Sequence, residues 1–512
     1  MTWPQALDFS RALKNVRHDV AGDWYRDPWG WPEYELEAGR GWQATQARCL
    51  SDSVRKSEKL DVPKENFSTR PALVMDALDR LAYQSLVDLQ SKRLIGDLHS
   101  NVFGWRLIDG KPESGNYARN DHEWQRYRGH LQRSVSSASL GLKTDVVSCF
   151  ASIPVDRVIE AIRGRGGSMP VVERIASLLQ GWDAIPGRGG LPQRSAPSSV
   201  LANMYLARLD APLRSYSDAT PGWLAKLMGV SARYTRWMDD IWAFGDDEGR
   251  LRALQLELQE VARDSGLELH AAKTRLVGEE ALAAEALRVE HSAVDDALTD
   301  DPPNQEPLEE LVDRLLLSPE MAERTSLHFA TSRMRRHQAL SRVGPLLEQA
   351  ERMPQGADHL ARLARDFKMW HELQDWFLDY VRSDWACIEW SVAQLGTMFP
   401  SGTAPQATVI DWFETRLFAP RNVLMTALVT QRLAAWDPAR ARSAFRSALG
   451  YLVAPQERRL VALAALSAGE ERKWVANVLS EYEENAVVLD VIEDRAWTPL
   501  VPVPDFASKP TV

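Results

Sequence analysis

The chain has 512 residues, 45% of them hydrophobic and 26% charged, with a formal net charge of −10. This is the composition of a folded chain long enough for roughly three domains, and no stretch approaches the roughly 18 consecutive apolar residues of a membrane span. The N-terminal MTWPQALDFSRALKNV lacks an apolar core with a small-residue cleavage site, which argues against a secretory leader. Cys49, Cys149 and Cys387 lie far apart without metal-ligand spacing, which fits a reducing, cytoplasmic setting and argues against a structural zinc or a disulfide framework.

In chain order, residues 1–40 carry an aromatic block with Trp24, Tyr25, Trp29, Trp31 and Tyr34 around two prolines. Such rings can stack nucleobases, but burial is their commoner use, so a clamp pinning the N-terminal arm to the body is the favoured expectation. A basic run follows (Arg55, Lys56, Lys59, Lys64, Arg70), then a short strand ending in Arg70–Pro71 and a helix capped by Asp76. Arg119, His122, Arg126, Arg128, His130 and Arg133 gather more positive charge ahead of residue 140, a placement that suits phosphates.

LGLKTDVVSCFASIPV (140–155) predicts a buried strand with Asp145 inside it, where a carboxylate is costly unless paired or bound to metal. VDRVIEAIRG follows with helical spacing. In GRGGLPQRSAPSSVLANMYL a Gly- and Pro-containing loop leads into a helix expected from Ser198 or Ser199. RYTRWMDDIWAFGDD predicts a β-hairpin with Asp239 and Asp240 at its tip. Asp also suits turns for its own local bonding, so the pair becomes informative only with a third carboxylate, which Asp145 supplies. Such a set can hold two divalent cations about 3.5–4 Å apart, and hard oxygen ligands point to magnesium. A helix over Gly249–Ser265 precedes GLELHAAKTRLVG, expected as strand, turn with Lys273, and strand. The acidic, proline-bearing segment from Asp295 to Glu310 marks a domain boundary. Beyond it short helical segments suggest paired antiparallel helices in an irregular array, closed by a proline-rich, extended tail, TPLVPVPDFASKPTV.

The order of these motifs resembles reverse transcriptases over roughly residues 50–280. LKTDVVSCFASI resembles the first catalytic motif, GLPQRSAPSSVLANMYL the Gly-Leu-Pro-Gln motif, YTRWMDDI the Tyr-x-Asp-Asp motif, and GLELHAAKTRLV the Lys-bearing motif. Upstream, RPALVMDALDR resembles the basic fingers motif and NVFGWRL a bacterial segment ending in Phe-Arg. The resemblance implies an α+β fold, with a right-hand polymerase palm and fingers followed by an all-α, helical-repeat-like C-terminal domain. Its expected divisions are an N-terminal segment and fingers over 1–140, a palm over 141–294 (with a fingers part near 156–189), a linker over 295–310 and a helical array over 311–512.

The same resemblance implies that Asp145, Asp239, Asp240 and the Val146 carbonyl hold two magnesium ions, with manganese as a substitute. Phe150 falls at the steric gate against ribonucleotides, Gln193 lines nucleotide and template, and Lys273 assists the leaving pyrophosphate. Arg70, and after it Arg80, are the expected triphosphate contacts. Three departures stand out: Trp237 for tyrosine, Arg194 for glycine, and the run Ala196-Pro197-Ser198-Ser199. The layout is most similar to abortive-infection and other defence-associated bacterial reverse transcriptases, some of which work without a template, prime on a tyrosine and oligomerise. This implies dNTPs as substrates, a DNA product, a homo-oligomer and no membrane partner, with Tyr380, Tyr451 and Tyr482 as primer candidates. Two rivals are a templated enzyme bound to a specific structured non-coding RNA, and an inactive scaffold that binds partners.

Overall fold

The computed structural model describes residues 3–35, 40–108, 117–118, 120–218, 233–419 and 422–494. Arg119 and the proline-rich tail therefore lie outside the described residues. The chain divides into two compact units, one built from Met1–Asp19, Thr45–Val54 and Asp79–Ala293, the other from Val20–Ala44, Arg55–Leu78 and Val294–Val512. Residues 1–140, which the sequence suggested as one segment, are shared between them.

Among the described residues, seven strands form two sheets: β1 (Glu58–Pro63), β2 (Thr69–Val74), β3 (Val102–Phe103), β4 (Leu140–Thr144), β5 (Tyr234–Trp237), β6 (Asp240–Gly245) and β7 (Arg275–Gly278). β1 and β2 make an antiparallel hairpin in the second unit. The strand expected to end at Arg70–Pro71 instead runs on to Val74, with Pro71 opposite Asp61. The other five form one sheet in the first unit, in the order β3-β5-β6-β4-β7, with only the β3–β5 pair parallel. One face of this sheet packs Trp242, Phe244 and Val277 against Phe103, Tyr127, Leu131 and Leu282. Gly141 in β4 lies against Leu282 and Trp242, so a larger residue there would displace the helix Glu279–Leu287.

Helix starts follow their capping residues. Asp76 accepts from the Leu78 N–H (2.9 Å) at the start of the helix Ala77–Ile95, and Asp247 accepts from the Arg250 N–H at the start of Glu248–Asp264. The helix expected from Ser198 or Ser199 begins earlier, at Ala196, because Pro197 fits its first turn and Ser195 takes the extended cap conformation.

In the second unit, helices Arg324–His337, Ala357–Asp366, Glu389–Gly396, Val423–Trp436 and Pro455–Ser467 pack each upon the next. Val423–Trp436 is buried from Val423 through Ala434, as befits an apolar helix at the middle of such a row. The aromatic block belongs here and all five of its rings are buried. Trp390 donates its indole N–H to the Trp24 carbonyl at 3.3 Å, and Arg459 is locked between Asp27 (2.5 Å) and Glu33 (2.5 Å). The block therefore acts as an internal clamp of this unit. No helix among the described residues is long and apolar enough to cross a membrane.

Candidate active site

β4 and β6 are neighbours at the middle of the five-stranded sheet, paired with Thr144 opposite Ile241. One step further, the same antiparallel register sets Asp145 beside Asp240. Asp145 is not inside the strand, as the sequence suggested, but just past its end. There the chain leaves β6 and pairs on its other side: the Asp145 carbonyl accepts from the His270 N–H (2.8 Å), and Val147 donates to the Glu268 carbonyl (2.8 Å). Ser148 then takes a left-handed conformation (φ 46°) and turns the chain into the short helix Cys149–Ser152.

The β5–β6 hairpin divides the aspartate pair. Trp237 faces Asp240 across the ladder, so Met238 and Asp239 form the turn and Asp240 opens β6. Met238 takes φ 54°, a left-handed conformation that favours glycine. The Asp239 and Asp145 carboxyl groups are close enough to interact. Burial, then the charge of Asp145, then that of Asp240 push the Asp239 carboxyl up to about 8. Surrounding protein, followed by the charge of Asp145, also raises Asp240, although its side chain reaches solvent.

Lys273 sits on the 3-10 turn Ala271–Lys273, where a turn between two strands was expected, and places its Nζ 2.8 Å from Asp145 Oδ2. Its side chain remains 58% exposed. Lys143 pairs with Glu285 at 3.0 Å.

Phe150 and the Gly190–Gln193 loop are in direct contact. Leu191 donates to the Phe150 carbonyl at 2.7 Å. Gly190 has φ 71°, and a Cβ there would collide with that same carbonyl. This close approach is why the loop carries glycine. Arg188 donates to the Gly190 carbonyl (3.1 Å), and the Gly190 N–H donates to Asp183 (2.8 Å). Gln193 stands half-buried at the end of this loop.

Arg194, where the related motif has glycine, takes φ 55° and is exposed. Its backbone thus keeps the glycine conformation while its side chain extends outward. The Arg194 carbonyl accepts from Arg80 Nη2 at 3.0 Å. Arg80 is only 3% exposed, and its bond supports the loop's backbone. Arg70 lies on β2 in the other unit, its guanidinium over Trp24 at 5.2 Å. It is not among the residues gathered around Asp145 within the first unit.

A group that the sequence reading passed over holds the hairpin from below. Arg236 is fully buried, forks onto Asp210 with bonds of 2.7 and 2.8 Å, and donates to Asn203 Oδ1 and to the Met238 carbonyl, both at 3.0 Å. Asn203 in turn donates to the Gly104 carbonyl (3.0 Å). Arg236 thus ties the strained turn to two other segments through charge-assisted bonds. Its sequence signal was an arginine in phase with the apolar Tyr234 and Met238 on a strand. On the other face, Trp237 packs edge-on against Trp124 (5.3 Å) and Tyr127 (5.4 Å), and His130 meets the Tyr234 carbonyl at 3.2 Å.

Of the tyrosines in the helical unit, Tyr380 is buried against Trp376. Tyr451 is 60% exposed. Tyr482 donates to the Val453 carbonyl (3.0 Å).

The donor set suits a hard divalent cation. Asp145 and Asp239 lie close together, a lysine ammonium sits on Asp145 Oδ2, and Asp239 is raised by burial and then by the neighbouring negative charge; a cation there relieves the repulsion. Among the described residues no group of three or more His, Cys, Asp or Glu side chains closes into a metal cage, and the set is open where Asp240 faces solvent.

Residues 62–293 match the family model described as reverse transcriptase (RNA-dependent DNA polymerase). No curated protein matches the chain. The matched span contains the whole five-stranded sheet, the Gly190–Gln193 loop and the three aspartates, and substrates of the family are nucleotides and nucleic acid. The chain therefore carries a reverse transcriptase domain, an RNA-directed DNA polymerase nucleotidyltransferase, joined to a mostly helical unit.

Proposed function

We propose that the chain is an active DNA polymerase that adds dNTPs by two-metal phosphoryl transfer in antiphage defence of the abortive-infection kind. The observation that carries this reading is the convergence of Asp145 and Asp239 in a buried setting: burial first, and then the charge of Asp145, push Asp239 up to about 8. A scaffold gains nothing from such mutual repulsion. In this reading the five-stranded sheet is the palm, within 141–294, and the preceding 1–140 supplies N-terminal segment and fingers. Asp145, Asp239, Asp240 and the Val146 carbonyl would hold two magnesium ions, or manganese in their place. The ions, when bound, lower the pKa of the primer hydroxyl and offset charge on the phosphates.

The protein's own groups do the rest. Lys273, tethered to Asp145 yet largely exposed, swings to the leaving pyrophosphate and offsets or donates to its charge. Phe150, fixed by the Gly190 contact, blocks a ribose 2′-OH. Gln193 lines the nucleotide and template at the end of the same loop. Arg80 positions that loop through the Arg194 carbonyl, and Arg70 is kept as a triphosphate contact only on the strength of its motif. Arg236 positions Asp239 by clamping the Met238 turn.

The defence assignment rests on the layout: a reverse transcriptase domain followed by a row of packed helices, with no zinc or HNH-like sequence cluster after residue 294. Arg194 and Trp237 favour synthesis without an ordinary template over the rival of a templated enzyme on a dedicated RNA. Of the protein primers, exposed Tyr451 is the best placed. Oligomerisation belongs to the same reading.

The test is incorporation of labelled dNTPs by purified protein in magnesium, with Asp239→Ala/Asp240→Ala as the comparison. Incorporation by the parent and none by the variant is expected; equal incorporation removes the metal assignment. Phe150→Ala should lower the preference for dNTPs over rNTPs by roughly 10–100-fold, since a steric gate is worth about 1–3 kcal/mol. An unchanged preference would assign the gate elsewhere. Sequencing nucleic acid that co-purifies, before and after protease, separates protein-primed DNA from a bound RNA template.

A further inference from the structure

The helical unit gathers several arginines around Arg362. The helices Arg324–His337 and Ala357–Asp366 pack together, and Leu360, Ala361, Leu363 and Ala364 of the latter face the core. Its polar face carries Asp358, Arg362, Arg365 and Asp366. Both carboxylates are already engaged. Asp358 takes a two-pronged bond from Arg324, 2.8 Å on each arm. Asp366 accepts from Arg335 Nε at 2.5 Å and has Arg365 Nε at 3.8 Å, while Arg365 also donates to the Thr397 carbonyl (3.3 Å).

Arg362 is left over. Among the described residues it makes no hydrogen bond or ion pair: its Nε is sealed from solvent without a partner, and the side chain as a whole is half-exposed. Its nearest charges are mostly cations. Burial first, then Arg335, Arg26 and Arg365, push its guanidinium down to about 10, with only Asp358 acting against them. A guanidinium resists losing its proton so strongly that such a setting calls for an external anion. Arg335 and Arg365 thus share Asp366, Arg324 takes Asp358, and Arg362 adds a further cation beside them, in a chain whose overall charge is −10.

We propose that Arg362, flanked by Arg335, Arg365 and Arg26, forms a phosphate-binding site on the helical unit. Forked donors from several directions match a multiply charged tetrahedral oxyanion better than a single carboxylate. The phosphate belongs either to the backbone of a single strand or to a free phosphate or pyrophosphate ion, and a chain with a polymerase domain meets both. The proposal goes beyond the polymerase reading and does not depend on it, since the site lies wholly within the helical unit.

The test uses the full chain without divalent metal, so that no synthesis occurs. Binding of a fluorescent mixed-sequence single-stranded DNA of about 20 nucleotides is measured against salt, and melting temperature is measured against added phosphate and pyrophosphate. Parent, Arg362→Gln, Arg335→Gln/Arg362→Gln and Arg362→Lys are compared with Arg342→Gln, which removes an exposed arginine paired with Asp313 at 2.7 Å. If a strand is the ligand, the double variant loses about 10-fold in affinity at low salt, and its log–log salt slope falls by about 0.7 per lost contact. Arg342→Gln then keeps the parent slope and Arg362→Lys lies between. If a free ion is the ligand, DNA binding is unchanged but phosphate or pyrophosphate raises the melting temperature of the parent and not of the double variant. A double variant that matches the parent in both measurements overturns the site. Removing one cation from among cations should leave the fold intact, and circular dichroism checks this. Arg362→Lys provides the second reading should the double variant not fold.

Discussion

The two units treat their carboxylates differently. In the helical unit the buried carboxylates Asp27 and Glu33 share Arg459, and the half-buried Asp358 is forked by Arg324. In the reverse transcriptase unit Arg236 and Asp210 show the same matching beneath the hairpin. Yet a few residues away Asp145, Asp239 and Asp240 crowd one another, with the exposed Lys273 in direct contact with Asp145. Matched pairs hold structure in place. Unmatched ones cost stability and persist where chemistry needs them. The comparison therefore separates residues whose loss unfolds the protein from residues whose loss stops the reaction.

The sharpest separation should come from Asp239→Asn. Activity is expected to fall by at least about 1,000-fold, in keeping with several kcal/mol of transition-state charge stabilisation. Stability should rise, by roughly 2–4 °C for each kcal/mol of repulsion relieved. Parallel incorporation assays and thermal melts check both, and a variant that is inactive because it melts earlier would break the distinction. Arg459→Ala is the counterpart. It strands Asp27 and Glu33 in a dry interior, and should cost about 3–5 kcal/mol in denaturant titration. A near-neutral result would mean that the pair is not the keystone of the aromatic clamp.

The same contrast predicts opposite pH slopes. Asp239 is raised from 3.8 to about 8, so in EDTA the folded state holds its proton more tightly than the unfolded chain. That contribution is present at acid pH and lost as pH rises through about 8. His359 of the helical unit is lowered from 6.5 to about 3 by burial, against the opposing pull of Asp358. The folded state there binds fewer protons, so its contribution is complete above about 6.5 and is lost as pH falls towards 3. Melting temperature against pH should flatten on the alkaline side in Asp239→Asn and on the acid side in His359→Gln. If neither variant changes its own limb, the charges are not where the slopes originate.

What the sequence made legible, and what it hid, follows the range of the interactions. The catalytic motifs could be ordered because each is a local pattern: a hairpin with two aspartates, a Gly-Leu-Pro-Gln loop, a lysine-bearing turn. Asp239 and Asp240 took different positions within the hairpin because register is set by the partner strand, not by the turn residues alone. Asp145 lies past β4 because its next partners come from Glu268–His270. The β1–β2 hairpin packs on Glu389–Gly396, more than 300 positions later in the chain, so nothing near Arg70 could show which unit it joins. Arg236 was visible only as a polar residue in an apolar phase, and its side-chain partners Asp210 and Asn203 lie 26 and 33 positions away. Those long-range contacts also placed Arg80, expected from its motif as a triphosphate contact, in a buried position where it donates to the Arg194 carbonyl.

The smallest expected effect concerns Arg194. Its backbone is left-handed (φ 55°), which costs a non-glycine residue about 1–2 kcal/mol, whereas glycine gives back about 0.5–1 kcal/mol through the freedom of the unfolded chain. Arg194→Gly should therefore change stability by no more than about 1 kcal/mol, on the stabilising side, and keep the Arg80 bond, which uses only the carbonyl. Its larger consequence is the side chain removed beside Gln193. If that side chain disfavours an ordinary template, copying of a primed RNA homopolymer should rise relative to untemplated addition by a few-fold, at about 1 kcal/mol of difference. A fall in that ratio would mean that Arg194 helps to hold a template, and would move the balance toward the RNA-templated rival. The matched pairs would be unaffected either way, because none of them touches this loop.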